Sequence, residues 1–567
     1  MSQTTAEPVP LCTGAEVHEP EPRLWLNVVT ACVLLFFFGF CDKSNLRLWN
    51  YLYAGVVSLF LLAELTFRSG FFDSAGQKWL FFTYAAACVG TALTLIYVNG
   101  SSTVLMFWLF MLMLAMFAGF LHVRGLLSDE RMAALLIAGG IMLRFVYVLY
   151  TGTGTRQHDI GTWSGTGGHD AYILYWYRNG LKLPDFDVRI YWQFYHPPLH
   201  HWLMALALKL FTAIGLPFET ACEALQALPF LYSCLAMPVC FRIFRLTGLE
   251  GFPLAVSMSL VCFHPSFVLL AGLINNDMLC TLFMFLSVLL ALRWYREPTL
   301  RRILPLAFSI GLGMMTKLSA WLVLPAVALL FLCVFDRRRE ARKRLLLQFV
   351  CFGLICAPLG LWWQIRNLLA FGVPLTYIPR LPETYYQYLG GESVTKRLFD
   401  FSGRQFAYIY DARTAIGSPY NEYNPAVGLL KTALFDEGVY TAFPSIHRAA
   451  TVLFRVGTLL GVISFVVFAV MLLRGDSGLD TPSRAFLAVL ALTILISYYL
   501  FCFAYPFVCT MNCRYCMPLI PLSAMGLGLL LKRCSGVGAG NKLLRCVSGA
   551  LTALFAFASC LLYSLIG

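Results

Sequence analysis

Charge is what this chain has least of. Only 13% of its 567 residues are Asp, Glu, Lys or Arg, while 59% are hydrophobic. With a mean hydropathy of +0.72, that balance excludes a soluble globular protein. Acidic residues are the scarcer sign, 29 against 42 Lys and Arg, for a net charge of +13. In a soluble chain such an excess would suggest nucleic acid. Here the cations cluster beside hydrophobic ends: Arg242 and Arg245, then Arg293, Arg296, Arg301 and Arg302, then 337–344, then Lys532 and Arg533. The positive-inside rule expects this of cytoplasmic loops, so topology explains the charge and no nucleic-acid partner is expected. A basic leader is also missing. The N-terminal tail carries Glu7, Glu16, Glu19 and Glu21, so the first hydrophobic run reads as a retained helix and not as a cleaved signal peptide. Neither an internal repeat nor a low-complexity tract is visible. Most of the nineteen cysteines lie inside apolar segments, where a thiol behaves as a small hydrophobe. The tight group Cys509, Cys513 and Cys516 has no second Cys/His pair near it in sequence. Neither a disulfide framework nor a zinc site is therefore expected.

Long hydrophobic runs are plentiful. A bilayer core takes about 20 apolar residues per helical crossing. Candidate crossings fall near 24–40, 50–66, 79–98, 103–121, 132–150, 199–215, 223–244, 252–272, 278–293, 303–316, 318–335, 346–369, 450–473, 485–506, 514–531 and 546–566. The expected fold class is an all-α polytopic membrane protein with about 15–16 transmembrane helices and two external loops. Residues 1–131 form a tail and four helices, and 132–370 a core whose first external loop is 151–198. Residues 371–448 form a large external loop, and 449–567 the closing helices. With 337–344 cytoplasmic, both loops face outward. Seven hydrophobic stretches separate them, however, and parity requires an even number. Either 199–215 does not cross or 303–335 is one broken segment.

The interval 156–201 concentrates the chemistry: RQHDIGTWSGTGGHDAYILYWYRNGLKLPDFDVRIYWQFYHPPLHH. Ionisable groups beside a bilayer persist where they meet a substrate, an ion or each other. Asp159 and Asp170 each follow a histidine, His158 and His169, in a glycine-rich loop. Either carboxylate could take a proton from a hydroxyl nucleophile, or could simply cap a turn. His196-Pro197-Pro198 opens the next helix, among aromatics that also suit an interfacial belt. Further on, Asn275-Asn276-Asp277 lies between two apolar segments and Thr316-Lys317 interrupts another. Lys317, Arg366 and Arg514 are isolated cations near external helix ends. They suit either a phosphate ligand or snorkelling to headgroups.

In order along the chain, RQHD and GHDAY, YHPPL, INNDM, MTKLS, WWQIRNLLAFGVPL and RYCMP resemble the GT-C superfamily of membrane glycosyltransferases. The similarity is to the branch holding protein O-mannosyltransferases and the bacterial aminoarabinose transferase of lipid A, and it spans 132–531. The family's adjacent acidic pair is not present as D-E, and the four N-terminal helices carry no motif. The resemblance implies a GT-C-like helical bundle that moves a sugar from a polyprenyl-phosphate donor to a hydroxyl on a protein, lipid or wall polymer, with inversion. Its base maps to Asp159 or Asp170, with Asp159 favoured because RQHD resembles the loop of bacterial members. It further implies that Lys317, Arg366 and Arg514 bind the donor phosphate. Arg156, His158, His169, Tyr172, His196, Asn276 and Asp277 would then contact substrate. Such cations can handle a lipid monophosphate leaving group without a metal, so no cofactor is expected, although a divalent ion is compatible with the scheme. The loop resemblance points to a bacterial plasma membrane. From another class, a transporter or flippase of a lipid-linked anion would more often show inverted repeats and polar residues at the midplane. Here the polar residues gather toward one face.

Overall fold

The computed structural model describes residues 23–39, 103–161, 163, 167–406, 422–438, 444–475 and 477–566. The acidic tail and the expected crossings at 50–66 and 79–98 lie outside the described residues. The described elements are helical: α1 Arg23–Gly39, α2 Thr103–Val123, α3 Asp129–Tyr150, α4 His169–Asn179, α5 Leu199–Ala213, α6 Phe218–Ala224, α7 Ala227–Leu246, α8 Gly251–Cys262, α9 Pro265–Leu270, α10 Asp277–Arg296 and α11 Leu300–Thr316. A 3-10 turn at Leu318–Val323 leads into α12 Leu324–Arg337 and the long α13 Arg342–Phe371. After the second loop, whose helices include α14 Val394–Phe399 and α15 Pro425–Phe435, come α16 Pro444–Leu473, α17 Thr481–Ala504, α18 Leu519–Arg533 and α19 Ala539–Leu565. Among the described residues eight helices are long and apolar enough to cross a membrane. A bent pair, Val508–Tyr515 with Leu519–Arg533, makes nine. Several other expected runs are broken or shorter among the described residues. The run expected at 252–272 divides into α8 and α9 around His264, and α11 has 17 residues.

Contacts at the helix ends resolve the parity problem. At one end of the bundle Arg245 pairs with Asp129 at 2.8 Å, and Arg302 pairs with Glu297. The basic clusters collect there. At the other end Gln226 donates to the Gly272 carbonyl at 2.7 Å, and Asn276 donates to the Thr316 carbonyl at 3.1 Å. Helices α7, α8–α9, α10 and α11 therefore each run between the two ends. Helix α5 does not. It starts where His200 meets the Ile274 carbonyl at 2.9 Å. Ten residues beyond α5, Glu223 accepts from the Thr153 amide and hydroxyl, the latter at 2.6 Å, in the first loop. A 15-residue helix is about 22 Å long, and the seven-residue α6 cannot bring the chain back across that span. So α5 stays at one end, and the count between the loops is even.

The break after α11 follows from local chemistry. Lys317 leaves the helix in an extended conformation, φ −153 and ψ 129, which turns its amine out of the apolar stack. Below it α11 packs closely on α13. A Cβ at Gly360 would stand 2.9 Å from the Met314 sulfur, the close approach that small residues permit between membrane helices. A buried arginine joins three helices near the α3 midpoint. Arg144 donates to Ser233 Oγ at 2.8 Å and to the carbonyls of Gly140 and Cys262 at 2.9 and 2.6 Å, so its charge is spread over hydrogen bonds.

Candidate active site

The first loop is tied into a fixed shape before it meets anything else. Asp170, 1% exposed at the start of α4, accepts from the Gly161 and Trp163 amides, each at 2.8 Å. The His169 amide donates to the Asp159 carbonyl at 2.8 Å. Gly168 bridges the two strands of this loop at φ +103, where a Cβ would come within 2.6 Å of that carbonyl, so glycine is required. The result separates the two aspartates. The Asp170 carboxylate is consumed by backbone donors. Asp159 is exposed, at φ 54, and faces a cavity, accepting from the Trp192 indole at 3.2 Å.

The cavity measures about 310 Å³. Asp159, His169, His196, Asn276, Asp277, Lys317 and Arg514, expected from sequence, all line it. Lys317 Nζ lies 2.5 Å from Asp277 Oδ1, and Arg514 Nη1 lies 3.7 Å from Asp277 Oδ2. Both cations also sit over the Tyr515 ring, each 5.1 Å from its centre. Two positive groups thus share one carboxylate. The lining also includes the apolar residues Leu318, Trp321, Leu322, Ile378 and Phe501. His169 and His196 are held neutral. Burial lowers the His169 pKa to about 3, and burial, followed by the nearby Lys317, takes His196 well below its ordinary value. His169 Nδ1 shares a proton with His201 Nε2 at 2.9 Å.

Four other expected residues do not line the cavity. Arg366 stacks on Trp363 and Phe371, donating to the Pro184 carbonyl and to Asn367 Oδ1. Its neighbours Gln364 and Asn367 line the cavity instead. Arg156 donates to the Ile566 carbonyl at 3.0 Å, near the end of α19. Tyr172 is buried and its hydroxyl donates to the His196 carbonyl at 3.2 Å. His158 turns away from the cavity toward Asp436, at 2.6 Å, with Glu437 at 3.9 Å. Asn512 donates to both acids at 2.6 and 3.2 Å.

Asp436 and Glu437 escaped sequence reading, since a D-E-G turn far along the chain carries no recognisable pattern. With His158 they bring their ligand atoms within 4.8 Å of one another, one grouping among the described residues able to hold a metal ion. The short His158–Asp436 bond and the Asn512 amide already occupy those atoms, so the arrangement acts as a hydrogen-bonded latch between the two loops. Burial opposes charge on His158, but Asp436 and Glu437 outweigh burial and the repulsion of Arg514, leaving its pKa raised. Burial also opposes charge on Asp436, yet His158 and Asn512 leave its pKa lowered. The imidazolium therefore stabilises the latch below its unfolded pKa of 6.5 and loses that effect as pH rises through the folded value. The carboxylate stabilises it above 3.8 and loses that effect as pH falls through the folded value. Amide exchange at 157–159 and 434–438, corrected for intrinsic rates, should be slowest between these limits. In His158→Gln the loss of protection at higher pH should disappear; unchanged pH dependence would mean another group titrates.

The second loop folds back on the cavity. Residues 373–378 line it, the Leu389 amide donates to the Pro506 carbonyl at 2.7 Å, and the Val508 amide donates to the Gln387 carbonyl at 3.0 Å. Tyr408, Tyr410 and Tyr420 of this loop lie outside the described residues.

Residues 195–363 match the family model described as dolichyl-phosphate-mannose-protein mannosyltransferase. No curated protein matches the chain. Among solved structures, ArnT from Cupriavidus metallidurans bound to undecaprenyl phosphate is similar at 14% identity and a TM-score of 0.42, covering 76% of this chain and 75% of that one. The Archaeoglobus fulgidus oligosaccharyltransferase tethered to an acceptor peptide is similar at 11% identity and a TM-score of 0.43, over 76% of this chain and 55% of that one. The oligosaccharyltransferase AglB of the same organism, in complex with an inhibitory peptide and a dolichol-phosphate, is similar at 14% identity and a TM-score of 0.44, again over 76% and 55%. The chain thus spans about half the length of these two oligosaccharyltransferases. Segment 195–363, the one that supplies Tyr195, His196, Asp277 and Lys317 to the cavity, is thus the part of the chain that is similar to the dolichyl-phosphate-mannose-protein mannosyltransferase family.

Proposed function

We propose that this cavity transfers a sugar from polyprenyl phosphate to a hydroxyl acceptor, with inversion, on the membrane face opposite the basic clusters. The observation that carries this reading is the pairing of an exposed carboxylate, Asp159, with two cations that share a single counter-charge, Lys317 and Arg514 around Asp277, in one cavity. One unit of positive charge is left for a phosphate. Arg514 Nε is buried without a hydrogen-bond partner, and a guanidinium suits phosphate oxygens. The apolar lining residues suit the first isoprene units.

In this scheme the acceptor O–H gives its proton to Asp159, and its oxygen attacks the anomeric carbon on the face opposite the phosphate. The bond from that carbon to the phosphate oxygen breaks, and its electron pair leaves with polyprenyl phosphate. The leaving phosphate gains negative charge as this happens, and the fixed cations stabilise that gain without reorganising. Asp159 accepts a hydrogen bond from Trp192 and meets no cation in an ion pair among the described residues, which leaves its carboxylate available to a proton donor. Arg366, turned to the Pro184 carbonyl, has no part in this scheme.

The purified full-length chain in proteoliposomes, given a panel of labelled polyprenyl-phosphate sugars, should transfer or release one of them with the opposite anomeric configuration. Retention of configuration would require a covalent intermediate and would overturn the role given to Asp159.

A further inference from the structure

Helix α16 carries two arginines on its exposed face. Arg448 and Arg455 are two heptad-equivalent positions, so they lie within about 20° of one another around the helix, and both are exposed. Neither makes an ion pair among the described residues, and Arg448 Nε donates to the Pro444 carbonyl of its own first turn at 3.3 Å. The same face continues as Val452, Leu459, Val462, Val466 and Val470, all exposed. The helix has 30 residues, about 45 Å, against the roughly 30 Å of a bilayer core. Its Leu473 end lies with the basic clusters, where the Tyr295 hydroxyl donates to Asp480 just beyond it. Counting about 20 residues back from that end places Arg455 at the edge of the hydrocarbon on the cavity side, and Arg448 about 10 Å further out among the headgroups. The positive-inside rule explains cations at the opposite end of the bundle and does not explain these two. An arginine that faces lipid at this depth needs water or an anion.

We infer that Arg448 and Arg455 hold the phosphate of an anionic phospholipid in the leaflet on the cavity side, with an acyl chain along Leu459, Val462 and Val466. Guanidinium forks suit phosphate oxygens. A zwitterionic headgroup would bring its own cation against the same two arginines, so the site selects net negative charge. Its residues are apart from those that line the donor cavity. The site nevertheless backs the element that ties the two loops together. Helix α16 packs on α15, where a Cβ at Gly457 would stand 2.7 Å from the Leu434 side chain and the Phe435 and Phe454 rings lie 6.2 Å apart. Asp436, the partner of His158, directly follows α15.

The test uses the full chain in lipid nanodiscs doped with photoactivatable phosphatidylglycerol or photoactivatable phosphatidylcholine. The reactive group sits on the acyl chain near the glycerol, and mass spectrometry maps the labelled peptides. In the wild type, phosphatidylglycerol should label 452–466 about tenfold more than phosphatidylcholine does, the scale expected of two arginines beside one anionic lipid. Arg448→Gln/Arg455→Gln should abolish that preference. Labelling beside 337–344, at the other end of the bundle, should be the same in both proteins, which shows that the variant inserts and folds. Equal labelling of 452–466 by the two lipids in the wild type, or an undiminished preference in the variant, would overturn the inference. A pair of chains in each nanodisc, with this face shielded from both lipids, would make the occupant a second copy of the chain and overturn it as well.

Discussion

Asp159→Asn should lower turnover by about 10²–10⁴-fold, or roughly 3–5 kcal/mol, with donor affinity and thermal stability unchanged. The amide keeps the shape of the side chain, and its oxygen can still accept from the Trp192 indole. What it loses is the ability to take a proton. Asp170→Asn should fail differently. Both Asp170 oxygens accept backbone amides, so one amide would face an NH2 group and the loop bearing Asp159 would loosen. Stability should fall by about 1–3 kcal/mol, the scale of an unmade buried hydrogen bond, with a smaller loss of turnover. Single-turnover kinetics and thermal unfolding of the two variants separate these routes. If Asp159→Asn retains turnover while Asp170→Asn is inactive but stable, Asp170 is the base.

Lys317→Met has the second large effect, and a composite one. From the sequence, Lys317 suits either a phosphate ligand or a snorkelling anchor. Its partner Asp277 is only 4% exposed, however, and without Lys317 it keeps Arg514 at 3.7 Å. Removing one member of a buried ion pair typically destabilises by about 3–5 kcal/mol, because the remaining charge lacks its partner. The transition state should lose a further 2–4 kcal/mol or so, as when an oxyanion loses its donor. The double variant Lys317→Met/Asp277→Asn isolates the second effect. It should recover stability and remain slow by about 10²–10³-fold. Recovery of activity along with stability would make Lys317 a structural cation. Lys317→Arg should restore function only in part, since a planar fork does not replace a compact point charge.

Motifs whose residues are close in sequence to their partners could be read in advance. N-N-D opens one helix and T-K ends the next, so the hairpin of α10 and α11 brings Asp277 and Lys317 together. Two kinds of information stayed hidden. The first was the different setting of Asp159 and Asp170, which depends on where two backbone amides point in a glycine-rich loop. The second was long-range pairing. His158 and Asp436 are 278 positions apart, and nothing near Asp436 marks it as a partner of the first loop. Arg366 shows the converse. Its motif matched, but stacking on Trp363 and Phe371 turns it from the cavity and leaves Gln364, two residues before the motif's charge, in the wall. Hydropathy also does not distinguish a crossing from a helix such as α5 that lies along one face.

The central claim is that a lipid phosphate sits between Lys317 and Arg514 in the cavity that also holds Asp159. An experimental structure of the full-length chain with undecaprenyl phosphate tests it most directly. The phosphate should lie within hydrogen-bond distance of Lys317 Nζ and of the Arg514 guanidinium, with its first isoprene units along Leu318, Trp321 and Leu322. A phosphate seated instead at Arg366, outside the cavity, with Lys317 and Arg514 still closed on Asp277, would contradict it.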